Sequence, residues 1–347
     1  MSLSEMWESV RQILETIDFA SLYEGFRPYP FALYNAEEAF LEGKMIPRPN
    51  AFMGNTSIEF QGELLAIWDM DIDPVEDPEH LAFCLIHEMF HCHQRANDES
   101  RYPSDLDMLK DPDDLEYFVK KYHENNALSH AYENKDIESF RRFAALRAVR
   151  YAAFPDIVRE EWKVETIEGM AEYVALKAFA RINPEKFRAV VCHHLGKLRE
   201  ESELLFDTRR IAYFSGAIFF LCLERFGFTI CNTFQGQKTA YEENPIDISG
   251  VTAEVYPSPF ISTLYESYLQ EKKDEIEEKI KNSKYIECRA TICAYDPMNM
   301  IRMNDLILCR HFVGLKEETE VRMIQSPLVL KLAEGSNRQI TAYYLKD

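Results

Sequence analysis

Two histidines four positions apart are the residues of this sequence best suited to chemistry. His87 and His91 begin and end the stretch HEMFH, which is an HExxH motif. On a helix, residues four apart lie about 40° apart around the axis, so both imidazoles can point at one ion. Glu88 lies between them, too close to its own backbone to reach the ion easily but well placed to contact water bound there. Two neutral nitrogens and a neighbouring carboxylate are what a hydrolytic zinc site requires.

The setting of the motif strengthens this interpretation. Apolar residues dominate the stretch Leu81 to Gln94, LAFCLIHEMFHCHQ, which therefore predicts a buried helix. Unpaired polar groups are costly in such a place, so both histidines need partners. The simpler alternative is a pair of core histidines satisfied by neighbouring carbonyl groups. That alternative does not account for two further stretches.

The second stretch is EEWKVETIEGMAEYVALKAF, residues 160–179, which predicts a helix. Glu165, Glu168 and Glu172 are spaced by three and four positions, so the three carboxylates share one broad face. Apolar neighbours indicate that this face is at least partly buried, where a carboxylate needs a partner and a dication is a good one. A row of surface glutamates is the alternative.

The third stretch is RRIAYFSGAIFFLCLERFG, residues 209–227, with Tyr213 at the head of its most apolar part. Gly216 allows another element to approach closely. Beside a metal, the Tyr213 hydroxyl could donate to an oxyanion, whereas away from one the ring is only packing. If Tyr213 is only packing, the substitute donors to consider are His123, His130, His193 and His194.

Together, the three stretches resemble the gluzincin class of zinc metallopeptidases, which includes thermolysin and the aminopeptidase N family. The segment IEGMAEY is similar to the ligand motif of that class, which implies that Glu168 is the third ligand of a Zn²⁺ ion. The same match implies that Glu172 hydrogen-bonds a zinc histidine and orients it. The segment YFSGA is similar to the YxxGA segment whose tyrosine stabilises the transition state, here Tyr213. The resemblance covers roughly residues 55 to 230, and the 77 positions from His91 to Glu168 require helical insertions.

Several further elements are expected around these stretches. The N-terminus predicts an amphipathic helix, Glu37 to Leu41 a short helix, and Thr56 to Asp69 two strands around Gln61-Gly62. That hairpin either packs in the ordinary way or pairs with an extended substrate backbone. The acidic link at 69–78 is expected to be a solvated loop that opens the next helix. Residues 111–154 predict helices with a stop near Asn134.

Two charged segments are expected to have structural roles. Arg141, Arg142, Arg147 and Arg150 form a basic face, which we interpret as a solvated or salt-bridged helix surface rather than a carboxylate-binding site. Residues 271–284 predict a mixed-charge connecting helix, and the composition beyond them shifts to strands.

Composition narrows the possible partners. Lys plus Arg number 39 against 59 for Asp plus Glu, and the resulting net charge of −20 argues against nucleic acid or an anionic membrane as a partner. The apolar run Ile211 to Leu223 is too short to span a bilayer, and the N-terminus lacks the pattern of an export signal. Eight cysteines without a CxxC pair are then best interpreted as reduced thiols in the cytoplasm.

The sequence therefore predicts an α+β protein with a mainly helical zincin-like catalytic domain, an N-terminal small sheet and a small C-terminal β-rich domain. The expected divisions are residues 1–80, a metal-binding core at 81–245, a connector at 246–283 and the β domain at 284–347. The leading hypothesis is a zinc-dependent peptidase acting on a peptide or protein, with Glu88 as general base. The alternatives are a noncatalytic binding or regulatory module with this fold, and a zinc hydrolase of a nonpeptide amide or ester.

Overall fold

A computed structural model describes residues 1–110, 114–318 and 320–346. About half of the chain is helical, with a mixed five-stranded sheet near the N-terminus and an antiparallel seven-stranded sheet at the C-terminus. This architecture confirms the predicted α+β class. All but the first of the described α-helices lie between the two sheets in sequence, and the largest buried apolar cluster joins the first sheet to them.

The N-terminal sheet has the strand order β3-β2-β1-β5-β4. Strands β1 and β5 are parallel, and the other pairs are antiparallel. The predicted hairpin is present: Gln61 and Gly62 have φ angles of 54° and 85°, as a tight two-residue turn requires. The first helix and the strands are α1 (Leu3–Leu14), β1 (Phe31–Tyr34), β2 (Glu38–Leu41), β3 (Lys44–Pro47), β4 (Thr56–Phe60) and β5 (Glu63–Asp69).

The helix predicted from Glu37 to Leu41 is wrong, because these residues form β2. Glu42 and Gly43 have φ angles of 49° and 77°, which turn the chain directly into β3. Strand β2 also pairs with β1, where Phe40 lies opposite Leu33. Pairing on both sides therefore overrides a local pattern that favoured a helix.

The helical layer contains the motif helix and the two other stretches singled out in the sequence. Asp77 caps α2 by accepting a hydrogen bond from the Glu79 amide, which confirms the prediction that the acidic link at 69–78 opens this helix. The predicted stop near Asn134 is also present, because Lys135 adopts a left-handed conformation with φ 54°. The predicted helical residues 111–113 lie outside the described part of the chain. The helices are α2 (Pro78–Ala96), α3 (Asp105–Met108), α4 (Leu115–Asn134), α5 (Ile137–Ala153), α6 (Pro155–Val164), α7 (Met170–Ile182), α8 (Pro184–Arg199), α9 (Thr208–Arg225), α10 (Ala240–Glu243) and α11 (Pro259–Lys281).

One feature interrupts the helix predicted over residues 160–179. A π-helical turn, Glu165–Gly169, separates α6 from α7.

The mixed-charge helix predicted at residues 271–284 begins earlier than predicted, because α11 starts at Pro259, after the cap residue Ser258. Within the described residues, none of the helices has the length and hydropathy needed to cross a bilayer.

The C-terminal sheet is antiparallel throughout, with the order β10-β9-β6-β12-β11-β8-β7. Its buried core includes Leu106 of α3, so the sheet shares apolar contacts with the helical layer. Helix α11 packs against this sheet through Ile276, which contacts Leu308 and Val329. The strands are β6 (Lys284–Tyr295), β7 (Met300–Met303), β8 (Leu306–Cys309), β9 (Val313–Glu317), β10 (Glu320–Ile324), β11 (Leu328–Leu332) and β12 (Gln339–Leu345).

The basic face of α5 divides into a surface half and a buried half. Arg142 is exposed and Arg141 is partly buried, whereas Arg147 and Arg150 are completely buried. Arg147 and Arg150 both donate to Glu124, at 2.8 Å and 2.7 Å. The salt-bridged interpretation is therefore correct for these two arginines, but their surroundings are core rather than solvent.

Candidate metal centre

The three predicted ligands lie together at the junction of α2 and the π turn. The Nε2 atoms of His87 and His91 lie 3.5 Å and 3.0 Å from the same oxygen, Oε2 of Glu168. One ligand atom from each residue falls within 4.8 Å of the others. Four-residue spacing on α2 places the two rings side by side, with centroids 4.8 Å apart. This is the arrangement that a shared cation requires.

Hydrogen bonds on the far side of each ring fix which nitrogen faces the cluster. Nδ1 of His87 lies 2.9 Å from Oε2 of Glu172. An ionised carboxylate can accept a hydrogen bond but cannot donate one. Nδ1 of His91 lies 2.7 Å from Oε1 of Gln94, whose Nε2 donates to the Ile167 carbonyl at 2.9 Å. That second bond fixes the amide orientation, so Nδ1 is the donor in both histidines. Both therefore keep Nε2 available as a ligand atom.

Glu172 occupies the place that the sequence resemblance implied, and it has a second partner there. Nε2 of His194 lies 2.7 Å from Oε1 of Glu172, so one carboxylate joins His194 to His87. Burial raises the pKa of Glu172, but the hydrogen bonds from His194 and His87 outweigh it and lower the pKa to about 2. The carboxylate is consequently ionised and orients the His87 ring at neutral pH.

Two glycines hold the π turn against α9. A Cβ atom at Gly169 would lie 2.6 Å from the Cα of Gly216, and one at Gly216 would lie 2.8 Å from the Cα of Gly169. Only glycine therefore fits at either position without moving a backbone. The expectation that Gly216 permits a close approach is confirmed. Since Gly169 follows Glu168 directly, this contact sets the distance between the ligand segment and the helix that carries Tyr213.

The three glutamates do not share one site. Glu165 points away from the histidines and accepts two hydrogen bonds from Arg147, both at 2.6 Å, and one from Ser215. The π turn lies between Glu165 and Glu172, and it changes the direction of successive side chains relative to an ordinary helix. The broad shared face expected from regular spacing is therefore wrong for Glu165.

Glu88 and Tyr213 border the cluster. Glu88 is only 9% exposed, and burial raises the pKa of its carboxyl group. The Tyr213 ring stacks parallel to the His87 ring, with centroids 6.0 Å apart and planes 3° apart. Burial, followed by the charge of Glu168, raises the pKa of Tyr213 well above its ordinary value. Its hydroxyl group therefore keeps its proton and remains a donor.

The sequence analysis missed a cation beside Glu168, the predicted third ligand. Arg209 donates from Nη2 to Oε1 of Glu168 at 3.1 Å and from Nη1 to the carboxylate of Asp105. Its position at the start of α9, four residues before Tyr213, places both side chains on one side of that helix. That spacing was the signal available in the sequence, because Tyr213 had already been selected.

The remaining candidates lie elsewhere. His123 contacts the Tyr256 carbonyl, His130 contacts Ser139, and His193 is exposed. The hairpin strand β4, in contrast, forms an edge of the N-terminal sheet beside α2. Arg95 of α2 donates to the Ser57 carbonyl of β4 at 2.6 Å, which ties that edge to the motif helix.

The donor set fits a zinc ion. Two imidazole nitrogens and one carboxylate oxygen form a common ligand set of catalytic zinc and leave a fourth position open. Burial lowers the pKa of His87, but its hydrogen bonds to Glu168 and Glu172 outweigh burial and raise the pKa to about 10. The cluster thus attracts a proton strongly, and a dication would replace that charge, because a ligating histidine must be neutral. Comparisons with protein-family models, curated proteins and solved structures find no match to this chain.

Proposed function

We propose that the chain is a zinc-dependent peptidase with His87, His91 and Glu168 as ligands. The observation that carries the proposal is the convergence of two Nε2 atoms on one carboxylate oxygen, with both Nδ1 atoms held by Glu172 and Gln94. Core histidines satisfied by carbonyl groups, the simpler alternative, would not need a carboxylate between them. Ligands that are oriented in advance bind a metal without first having to reorganise.

The neighbouring residues supply the remaining chemistry. Zinc in such a site acts as a Lewis acid and brings the pKa of water from 15.7 to about 7. Glu88 would accept the proton that the attacking water loses and deliver it to the leaving amine. Burial raises the pKa of the Glu88 carboxyl group, so its carboxylate is a stronger base than a solvated one. Tyr213 would donate a hydrogen bond from its hydroxyl group to the oxyanion of the tetrahedral intermediate and keep its proton.

A peptide is the substrate class that the surroundings favour. Strand β4 is an edge strand beside α2, and its outer edge offers backbone donors and acceptors to an extended chain, apart from the Ser57 carbonyl, which accepts from Arg95. A peptide added to this edge would lie along the motif helix and present its carbonyl groups to the cluster. This observation favours a peptide over a small amide or ester, which cannot pair with several backbone groups.

The decisive experiment combines metal analysis with turnover. The purified chain is expected to contain about one zinc per molecule, and Glu88→Gln should keep that zinc but lose hydrolysis of a peptide library. Glu168→Ala should lose most of the zinc. Glu185→Gln, at an exposed position of α8, is the matched control and should leave both zinc and hydrolysis unchanged.

Each outcome assigns the chain to one class. Zinc bound with no hydrolysis of any peptide, ester or amide would support the noncatalytic module instead. Zinc with ester or amide turnover but no peptide cleavage would support the nonpeptide hydrolase. Peptide hydrolysis that survives Glu88→Gln would remove Glu88 as the base and contradict the proposed mechanism.

A further inference from the structure

Three ionic side chains form a chain that leads from the ligand Glu168 toward the C-terminal sheet. Arg209 joins Oε1 of Glu168 to the carboxylate of Asp105 through its two terminal nitrogens. All three side chains are less than 20% exposed, so the charges are only weakly screened. A guanidinium held at both ends has a fixed plane, because its donors have a rigid fork geometry.

The bond from Arg209 determines which oxygen of Glu168 faces the histidines. Oε1 is the acceptor for Arg209, while Oε2 is the atom that approaches both Nε2 atoms. A carboxylate held in this way offers one oxygen to a cation instead of two. Single-oxygen ligation leaves the fourth coordination position of a tetrahedral ion open for water, as catalysis requires.

The C-terminal sheet holds the far end of this chain. Asp105 begins the four-residue helix α3, and the next residue, Leu106, is 1% exposed within the core of the sheet. Asn337, in the turn between β11 and β12, donates to Asp107 of the same helix. Tyr295 at the end of β6 contacts the Asp105 carboxylate. The helix that carries Asp105 is thus fixed by the sheet on three successive residues.

We propose that Arg209 is a positioning residue for the metal centre, and that the C-terminal sheet keeps it in place through Asp105. This inference rests on the proposed ligand role of Glu168. It gives the sheet a part in metal binding although none of its residues lies among the ligands. Loss of the sheet contacts would free Asp105, let Arg209 rotate, and leave the Glu168 carboxylate able to turn.

A charge-balanced double variant separates positioning from simple electrostatics. Arg209→Met with Asp105→Asn removes one positive and one negative charge, so the net charge near the metal does not change. We expect zinc affinity, measured on the full chain by competition with a chromogenic chelator, to fall about 10- to 100-fold. An affinity equal to that of the wild type would overturn the proposal, because the pair would then serve only to balance charge.

The control is a second arginine–carboxylate pair, which lies outside the site. Arg310 makes two hydrogen bonds to Glu275, and both side chains are 43% exposed. The matched double variant Arg310→Met with Glu275→Gln should leave zinc affinity unchanged. Thermal unfolding of each metal-free variant verifies that it folds. If the first double variant does not fold, Arg209→Lys keeps the charge but not the fork, and wild-type affinity in that variant would equally overturn the proposal.

The contribution of the sheet is tested by a pair of tyrosine variants. Tyr295→Phe removes the hydroxyl that contacts Asp105 and should weaken zinc binding roughly threefold or more. Tyr285→Phe, on an exposed tyrosine of the same strand, should have no effect. Equal affinities in the two variants would refute the role of the sheet. If the wild type itself binds no zinc, or Glu168→Ala binds it normally, the proposed centre fails instead of the positioning.

Discussion

We expect the contact between Gly169 and Gly216 to control the geometry of the candidate metal centre. In Gly216→Ala, the new Cβ would lie 2.8 Å from the Cα of Gly169 and 3.0 Å from the Cα of Glu165. Ordinary contact begins at 3.4 Å, so the two backbones must separate by roughly 0.6 Å, the difference between 3.4 Å and 2.8 Å. Both neighbours are backbone atoms of packed helical segments, which cannot move as a flexible side chain would.

Two opposing effects determine the stability of this variant. Replacing glycine by alanine inside a helix stabilises it by about 1 kcal/mol, whereas overpacking a core costs about 1–3 kcal/mol. The free energy of unfolding should therefore fall by no more than about 2 kcal/mol, and the protein should still fold. Moving the two backbones apart would displace both Glu168, which precedes Gly169, and Tyr213, which lies on the same helix as Gly216. Displacing a residue of an active site by on the order of 1 Å lowers the reaction rate about 100-fold. We therefore expect zinc affinity and turnover to fall far more than stability does.

A matched glycine on another helix provides the control. Around Gly196 of α8, no atom of the described residues beyond its chain neighbours and its own helical backbone lies within 4 Å of the place where a Cβ would lie. Gly196→Ala should therefore keep zinc affinity and turnover at wild-type values and raise the free energy of unfolding slightly. Urea unfolding of the metal-free proteins and chelator competition compare the two variants. If Gly216→Ala matched Gly196→Ala in zinc affinity and activity, the close approach would not be what positions the ligand.

Three further predictions concern single side chains. Tyr213→Phe should lower kcat roughly 100-fold with zinc and KM little changed, and near wild-type turnover would assign the ring to packing. His194→Asn should weaken zinc binding about 10-fold by freeing Glu172, with chelator competition as the measurement and the exposed His193→Asn as control. Burial raises the pKa of Glu161, but Arg150 and Lys121 outweigh it and lower the pKa below the ordinary 4.5. This stabilisation is complete above pH 4.5 and is lost as pH falls through the lower folded value, so the acid loss of stability in urea titrations should be shallower in Glu161→Gln.

The predictable parts of the fold were those with a regular period or a strong turn. The motif helix, the hairpin at Gln61-Gly62 and the C-terminal strands each carry a local pattern that their tertiary contacts reinforce. Strand β2 was missed because five residues cannot distinguish the two periods, and pairing with β1 and β3 decided the outcome. The π turn was missed because side-chain spacing in the sequence gives no sign of an extra residue in a helical turn.

The candidate site also contains residues that the sequence predicted and residues that it did not. His87, His91 and Glu88 follow from spacing on one helix, and Glu168 and Glu172 followed from resemblance to a ligand motif. His194, Arg209 and Asp105 act through contacts between segments 22 to 104 residues apart, which only the folded chain brings together. Two residues had a local signal: Gln94 lies three residues after His91, and Arg209 lies four residues before Tyr213.

Three closely spaced glutamates have different binding partners, and only one of them keeps a carboxylate oxygen that could bind a metal. Glu165 is neutralised by Arg147, and Glu172 is shared between His194 and His87. Glu168 remains, with one oxygen bound to Arg209 and the other facing both Nε2 atoms. Three free carboxylates would fill the coordination sphere of an ion and exclude water from it. Because two glutamates and one oxygen of the third have other partners, an ion bound by His87, His91 and Glu168 would keep a coordination position open for a substrate or water.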